Sequence, residues 1–522
     1  MKKTLVLLIQ FFALSLFAQD KISVIPFPNV LEEEKGEFQF CNSLTINLDK
    51  AFTSELNIIS STFSKTYGIK ITTASNAKLV FTQNKQLEKE AYKLRVAPDN
   101  IVVDASTSTG CFWALQTLRQ MMQVTAGGGY KIKACRIDDK PAYLWRGFLL
   151  DEGRNFQGKE LVKKMLDQMA LLKMNIFHWH LTDDQGWRIE IKKYPLLTKI
   201  GAWRDSTYIG WGDSLVYQST VNGGFYSQAD IKEIVAYATK RHITVIPEID
   251  MPGHISSAVA AYPWLGAYNR KIKVPCTYGV KYDILDVSNP KVYQFIEDVL
   301  TEIIALFPAK IIHIGGDEVR YDAWRSNNGI TALMKAEGLQ NYADVQTYFI
   351  NRISKMIEAK GCRMMGWNEV MGQAVNDFQE GENTTQTLAP KTIVQFWKGD
   401  PALYKEALRR GYDLVNSHSH YYLNSSYESA PVEKVYNLTL VPEGIDANLA
   451  KHVLGVECAI WGEVTPRVSD VYYYVFPRIA AFAELGWTNA DKKNFIRFSR
   501  SMDKLTKIWD KEGIIYYDKK SK

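Results

Sequence analysis

The string His313-Ile-Gly-Gly-Asp-Glu318 concentrates more potential chemistry than any other stretch of this chain. A run of strand length from Lys310 to Ile314 leads into two glycines and then two adjacent carboxylates. Paired acids can do general acid–base chemistry if their surroundings give them different proton affinities. Successive strand residues face opposite ways, so Asp317 and Glu318 can share a pocket only if the backbone leaves strand geometry after Gly316. The plainer reading is a buried strand ending in a solvated acidic turn.

The elements around this string decide between the two. From about residue 142 onward, apolar runs of strand length alternate with helical patterns. The strand candidates are Gly147–Asp151, Met174–Leu181, Thr244–Asp250, Lys310–Gly315, Arg363–Trp367, Thr392–Trp397, Tyr412–Asn416 and Val453–Ala459. Helices fit between most of them, among them Lys159–Leu172, Gln228–Lys240, Lys291–Phe307, Asp344–Lys360 and Pro401–Arg410. This alternation predicts a (β/α)8 barrel, which builds its sites at the carboxyl ends of its strands. A doubly wound open sheet is the alternative, but no glycine-rich phosphate loop follows the first strand. Residues 19–141, with short β-like runs and two helical stretches, predict a small α+β domain before a barrel over 142–522. The polar insertions Arg204–Ser227, Gly372–Lys391 and His418–Leu449 are expected as loops.

The carboxyl ends of these strands are rich in functional side chains. They carry Asp151 and Arg154, then His178, His180, Asp183 and Asp184, then Glu248, Asp250 and His254. The later strands add His313 with Asp317 and Glu318, then Trp367, then Trp397, then Tyr421 and Tyr422, and finally Trp461 and Glu463. Acids, histidines, an arginine and tryptophans thus gather at one end.

In these blocks the chain resembles glycoside hydrolase family 20, the β-N-acetylhexosaminidases. The carriers are His313-x-Gly-Gly-Asp-Glu318, Arg146-Gly-Phe-Leu-Leu-Asp151 with Arg154, His178-Trp-His-Leu-Thr-Asp-Asp184, Pro252-Gly-His254 and Trp461-Gly-Glu463, in that family's order. The resemblance implies retaining hydrolysis of a terminal β-linked N-acetylglucosamine or N-acetylgalactosamine, with the substrate's own acetamido oxygen as nucleophile. It implies that Glu318 is the general acid and then base, and that Asp317 serves the acetamido N–H and the positive intermediate. A proton donor needs a raised pKa, which the charge of Asp317 is expected to provide for Glu318. Arg154 and Glu463 are implied to grip sugar hydroxyls, and Asp183 with His254 to form a relay to Glu318, supported by Asp184, His180 and His313. Trp367, Trp397 and Trp461 are implied walls for the acetamido group and the sugar face. Tyr422 is implied to hold the amide carbonyl, with Tyr421 a competitor, and Asn424 lies near a hydroxyl position.

Two other classes fit parts of the sequence. His178 and His180 face the same way on a strand and, with Asp183, have workable metal-ligand spacing. A non-catalytic sugar-binding protein would also use the tryptophans, but it would have no need of Glu318. The family reading calls for no cofactor and no metal.

Bulk composition narrows the field further. The chain is 46% apolar and 23% charged, the signature of an ordinary globular protein. Its 63 basic residues against 57 acidic ones are interspersed, with no basic block of the kind nucleic acid requires. Lys2 and Lys3 followed by the apolar Leu5–Phe17 and then Ala18 read as an export signal over residues 1–18, giving a periplasmic or secreted product with no stable membrane insertion. The six cysteines follow no metal spacing and specify no disulfide pairing.

Overall fold

The computed structural model describes residues 22–209 and 216–518. The expected export signal lies outside the described residues. Among those described, no helix is long and apolar enough to cross a membrane.

The N-terminal unit is an eight-stranded mixed sheet with the helix Ser108–Met121 on one face. Its inner strands Tyr92–Val96 and Ile101–Ala105 bury every second residue, as expected of strands with one covered face. Two long strands that the sequence did not signal, Val30–Phe40 and Tyr130–Asp139, pair antiparallel along one side of this sheet. Val30–Phe40 is rich in glutamate and mostly exposed, an edge strand whose charges hide its period. Charged groups are also buried where the unit meets the barrel. Lys173 Nζ donates to the Tyr92 hydroxyl at 2.8 Å and contacts Asp139 Oδ2 at 3.0 Å, while Trp487 Nε1 donates to the same carboxylate.

The barrel strands are β1 Trp145–Asp151, β2 Ile176–His180, β3 Thr244–Glu248, β4 Ile311–His313, β5 Arg363–Trp367, β6 Ile393–Phe396, β7 Asp413–Asn416 and β8 Val453–Ile460. All pair in parallel, and β8 closes on β1 from Gly455↔Trp145 to Ile460↔Leu150. The predicted strands are all present, trimmed or extended by a few residues at their ends. Insertion Arg204–Ser227 is not a plain loop, since Thr207–Ile209 and Val216–Gln218 pair antiparallel within it.

Strand alternation then stacks the lumen in layers. Trp145, Ile176, Ile246, Met365, Ile393 and Val415 form an apolar plug of their own at the amino end of the barrel. Two residues further along the strands, the same face presents His178, Glu248, Trp367, Gln395 and Glu457, all buried. Such polar groups are stable there only because they satisfy one another. Glu457 accepts from Trp145 Nε1 at 2.8 Å and from Gln395 Nε2 at 2.7 Å, and it holds His178 Nδ1 at 2.7 Å. The lumen thus changes from apolar to charged along its axis, and a site can open above the charged layer.

Candidate active site

The chain leaves strand geometry at once after β4. Gly315 and Gly316 take φ +64° and +89°, a left-handed region that glycine enters without strain. A Cβ on Gly315 would stand 1.8 Å from Asp250 Oδ1, and one on Gly316 would stand 2.5 Å from Val370 Cγ1. The turn is pinned by Gln346 Nε2, which donates to the Gly316 carbonyl at 2.8 Å. Glu318 itself holds φ +50°, uncommon for a residue with a side chain. As a result both acids enter one cavity of about 270 Å³, together with Arg154, His254, Trp367, Trp397 and Trp461.

His254 stands between the two acids and a second acidic pair. Its Nε2 lies 3.5 Å from Glu318 Oε2 and 3.7 Å from Asp317 Oδ2. Its Nδ1 lies 3.4 Å from Asp183 Oδ1 and 3.2 Å from Asp184 Oδ2. Divergence along a strand would separate Asp183 from Asp184, but Thr182–Asp183 turns back to pair with Gly186–Trp187, and the bend brings both to His254. Asp183 Oδ2 also meets His180 Nε2 at 2.8 Å and Arg154 at 2.9 Å. His180 continues to Glu248 at 2.5 Å. Glu248, at the end of β3, further accepts from Trp367 Nε1 at 2.9 Å and sits 2.9 Å from His313 Nδ1. A chain of charged contacts therefore runs from the barrel axis to Glu318.

The expected order of proton affinities is reversed in the free site. Burial pushes the Asp317 carboxyl up to about 7, and the charge of Glu318 adds to this against the pull of His254. Burial would raise Glu318 too, but its hydrogen bond to His254 and the charges of His254, Arg154 and Lys398 outweigh it and hold the carboxyl below its usual range. His254 resists the burial that would neutralise it because Asp183, Asp184 and Glu318 surround it, so its pKa is held well above the usual one. The surroundings of the free pair thus favour a proton on Asp317 over one on Glu318.

The walls are aromatic. Trp367 lies 6.2 Å from Trp397 and 5.7 Å from Trp461, centroid to centroid, with interplanar angles of 69° and 48°. Trp397 is fixed by its N–H on Glu369 Oε2 at 2.9 Å. Burial drives Glu369 up to about 8, with Asp317 adding to the effect. Arg154 lies over the Trp461 ring at 5.2 Å while pairing with Asp151 and Asp183, so it braces the strand ends and still lines the cavity. Glu463 lines the cavity as well, and burial lifts its carboxyl to about 7 although Arg154 opposes this. Both Tyr421 and Tyr422 reach the cavity. The charges that act on Tyr421 include Asp317 and Glu369, whereas those on Tyr422 include Glu463 and Arg154.

Asn424 is placed differently from the other candidates. Its amide donates to the Trp461 carbonyl at 2.6 Å and accepts from the Trp461 N–H at 2.8 Å, so it holds the tryptophan's backbone. Gly279 and Val280 line the cavity without any signal in the sequence, because they come from a long connection after β3 with no distinctive motif. Glu248 and Glu369 could have been noticed as acids at strand ends, but nothing in the sequence told which side chains they hold. Of the metal candidates read in the sequence, His180 meets Asp183 at 2.8 Å and Glu248 at 2.5 Å, and His180, Asp183 and Asp250 offer ligand atoms within 4.8 Å of one another. His178 faces Glu457 and Glu248 instead, and His178, Glu248 and His313 form a second such grouping deep in the lumen.

A closed parallel barrel with two inequivalent acids in a tryptophan-walled cavity at the strand ends defines a barrel glycosidase. Comparison with known proteins agrees. A model of the glycosyl hydrolase family 20 catalytic domain matches residues 143–490, and one of that family's domain 2 matches residues 21–140. The chain belongs to glycosyl hydrolase family 20. A β-hexosaminidase of Porphyromonas gingivalis is 33% identical over 524 residues, which are 95% of this chain and 64% of the relative. One from Vibrio furnissii is 33% identical over 89% of this chain and 76% of its own length. The structure of a Vibrio harveyi exo-β-N-acetylglucosaminidase in complex with N-acetylglucosamine superposes with a TM-score of 0.83 at 29% identity, covering 95% of this chain and 78% of that one.

Proposed function

We propose that this chain is a retaining exo-β-N-acetylhexosaminidase that removes terminal β-linked N-acetylhexosamine from glycans, exported under the signal of residues 1–18. The observation that carries the mechanism is the pair of acids in one cavity with opposite proton affinities. Asp317 Oδ1 is buried and has no hydrogen-bond partner among the described residues, an acceptor suited to an acetamido N–H. That hydrogen bond, and the positive charge that follows it, would favour ionised Asp317 and move the shared proton to Glu318. Substrate binding thus reverses the order found in the free site.

The acetamido oxygen then bonds to C1 as the bond from C1 to the leaving oxygen breaks. Glu318 gives its proton to that oxygen, and the resulting oxazolinium ion is stabilised by the Asp317 carboxylate. In the second half, water attacks C1 and passes a proton to Glu318, and the acetamide bond to C1 breaks with net retention. His254, tied to Asp183, keeps a cation beside Glu318 when it ionises.

The test is turnover of β-N-acetylglucosaminides, β-N-acetylgalactosaminides and plain β-glucosides by the wild type and by Glu318→Gln. Both acetamido sugars should be accepted, the glucoside refused, and the variant slowed by about 10²–10⁴-fold. Hydrolysis of the plain glucoside at a comparable rate would refute assistance by the acetamido group.

A further inference from the structure

We propose that the groove between the N-terminal unit and the helix Phe495–Glu512 is a second, non-catalytic binding site, and that it takes a chain of sugars carrying several negative charges. The choice of a sugar chain rests on the hexosaminidase reading, whereas the groove and its charge stand apart from it. The groove encloses about 780 Å³, against about 270 Å³ for the catalytic cavity, and the two share no lining residue. Ligand sites occur preferentially at such domain interfaces. Leu171, which lines the groove, ends the helix Lys159–Leu171 and leads into the amino end of β2. The groove therefore lies toward the amino side of the barrel, away from the carboxyl ends where the catalytic cavity opens.

The charges lining it are nearly all of one sign. Arg119 and Lys131 come from the N-terminal unit, Lys504, Lys507 and Lys511 from the helix, and Glu512 is the one acid. Glu512 is already committed, since Gln168 Nε2 donates to it at 2.5 Å and Arg119 Nη2 stands 3.9 Å away. Lys131 meets Glu37 at 2.7 Å in a half-exposed pair of the kind that contributes little. Lys507 and Lys511 have no ion-pair partner among the described residues. The three lysines stand at i, i+3 and i+7, so one face of the helix carries them over about 10 Å. Like charges so placed repel one another, and a polymer with repeated anions relieves this along the whole row. A single phosphate does not span it.

The groove also has an aromatic wall. Tyr67 and Tyr130 line it with ring centroids 5.0 Å apart at 77°, and the Tyr67 hydroxyl donates to the Arg119 carbonyl at 3.1 Å. Rings beside ammonium groups suit a pyranose chain with acidic substituents. The sugars' C–H faces meet the rings, and their sulfates or carboxylates meet the cations. Such an anchor keeps the enzyme on an acidic glycan while the separate catalytic cavity removes chain ends.

The test is titration calorimetry of the whole protein with octasaccharides of chondroitin sulfate and of unsulfated chondroitin. Both end in a uronic acid, so neither offers the catalytic cavity a terminal N-acetylhexosamine. Neutral maltooctaose and a DNA duplex of matched charge are the comparisons. The acidic chains should bind and maltooctaose should not, and the order of the two acidic chains tells whether sulfate or carboxylate is read. In the wild type their affinity should fall about tenfold between about 50 and about 200 mM salt. Lys507→Gln combined with Lys511→Gln should weaken them about tenfold and leave turnover of an aryl N-acetylglucosaminide unchanged. Tyr130→Ala should weaken them about fivefold, and Tyr130→Phe, which keeps the ring, should not. Absence of binding, equal affinity for maltooctaose, or unchanged affinity in the lysine variant would overturn the site, and tighter binding of the DNA would overturn its sugar class. Failure of the hexosaminidase reading alone would look different, since the acidic chains would still bind while the aryl N-acetylglucosaminide was not turned over.

Discussion

His254 Nε2 lies 3.5 Å from Glu318 Oε2, while the opposite ring nitrogen faces Asp183 and Asp184 at 3.4 and 3.2 Å. An imidazolium held by three acids beside the proton donor fixes the proton inventory of the site. In the free site it lowers Glu318, and during turnover it steadies the carboxylate that remains after proton donation.

Replacing His254 with Gln removes that cation while keeping a polar side chain. The turnover number should fall about 10²-fold for sugar leaving groups and much less for a dinitrophenyl leaving group, which needs little protonation. Both limbs of the pH profile of kcat/KM should move to higher pH, because a positive charge near both carboxylates has been lost. Rate constants across leaving groups of graded acidity provide the check. A uniform loss would mean that His254 only supports the fold.

Asp317→Asn tests the shared proton. Of the catalytic pair only Glu318 then titrates, and its hydrogen bond to His254 and the charges around it hold it below its usual range. The bell-shaped profile should collapse to a single limb that falls with rising pH in the acid region, with kcat down about 10²–10³-fold. Stability should move the other way. The folded chain binds its proton at Asp317 up to about pH 7, whereas an unfolded Asp releases it near pH 3.9. Folded protein therefore holds more protons across that window, and stability is lost as pH rises through it. At pH 8 the Asn variant should be the more stable by about 1–3 kcal/mol, read as a higher Tm; an unchanged Tm would argue that Asp317 is ionised at no cost.

The site was legible where residue type and strand end coincide. His313-x-Gly-Gly-Asp-Glu318 forces a turn because its two glycines precede the acids, and the turn is found. The eight apolar runs foretold the barrel because both of its faces are covered, so no alternation needed decoding. The parts that stayed hidden depend on distance in space. The reversed proton order of Asp317 and Glu318 comes from His254, 63 or more residues away in sequence. Asn424 holds the backbone of Trp461, a partner that pattern alone does not reveal. Val30–Phe40 went unread because an exposed edge strand has no buried face to impose a period.

The glycine turn yields the sharpest structural prediction. Ala at Gly315 would have to hold φ +64°, at about 1–2 kcal/mol for a residue with a Cβ. That Cβ would also fall 1.8 Å from Asp250 Oδ1, a buried oxygen that itself accepts the Gly316 N–H at 3.3 Å. Neither group can withdraw without moving the backbone that aims Asp317 and Glu318. A displacement of about 1 Å at reacting groups costs about 10²-fold in rate, so Gly315→Ala should lose at least that much kcat/KM along with its stability. Gly338→Ala is the matching control. It has φ +68° at the end of the helix Asn328–Glu337 and nothing within 4 Å of its Cβ position. It should lose about 1 kcal/mol and keep its rate constants. Equal kinetic losses in the two variants would show that general softening of the fold disables the enzyme, and equal kinetic tolerance would show that the acids do not depend on this turn for their aim.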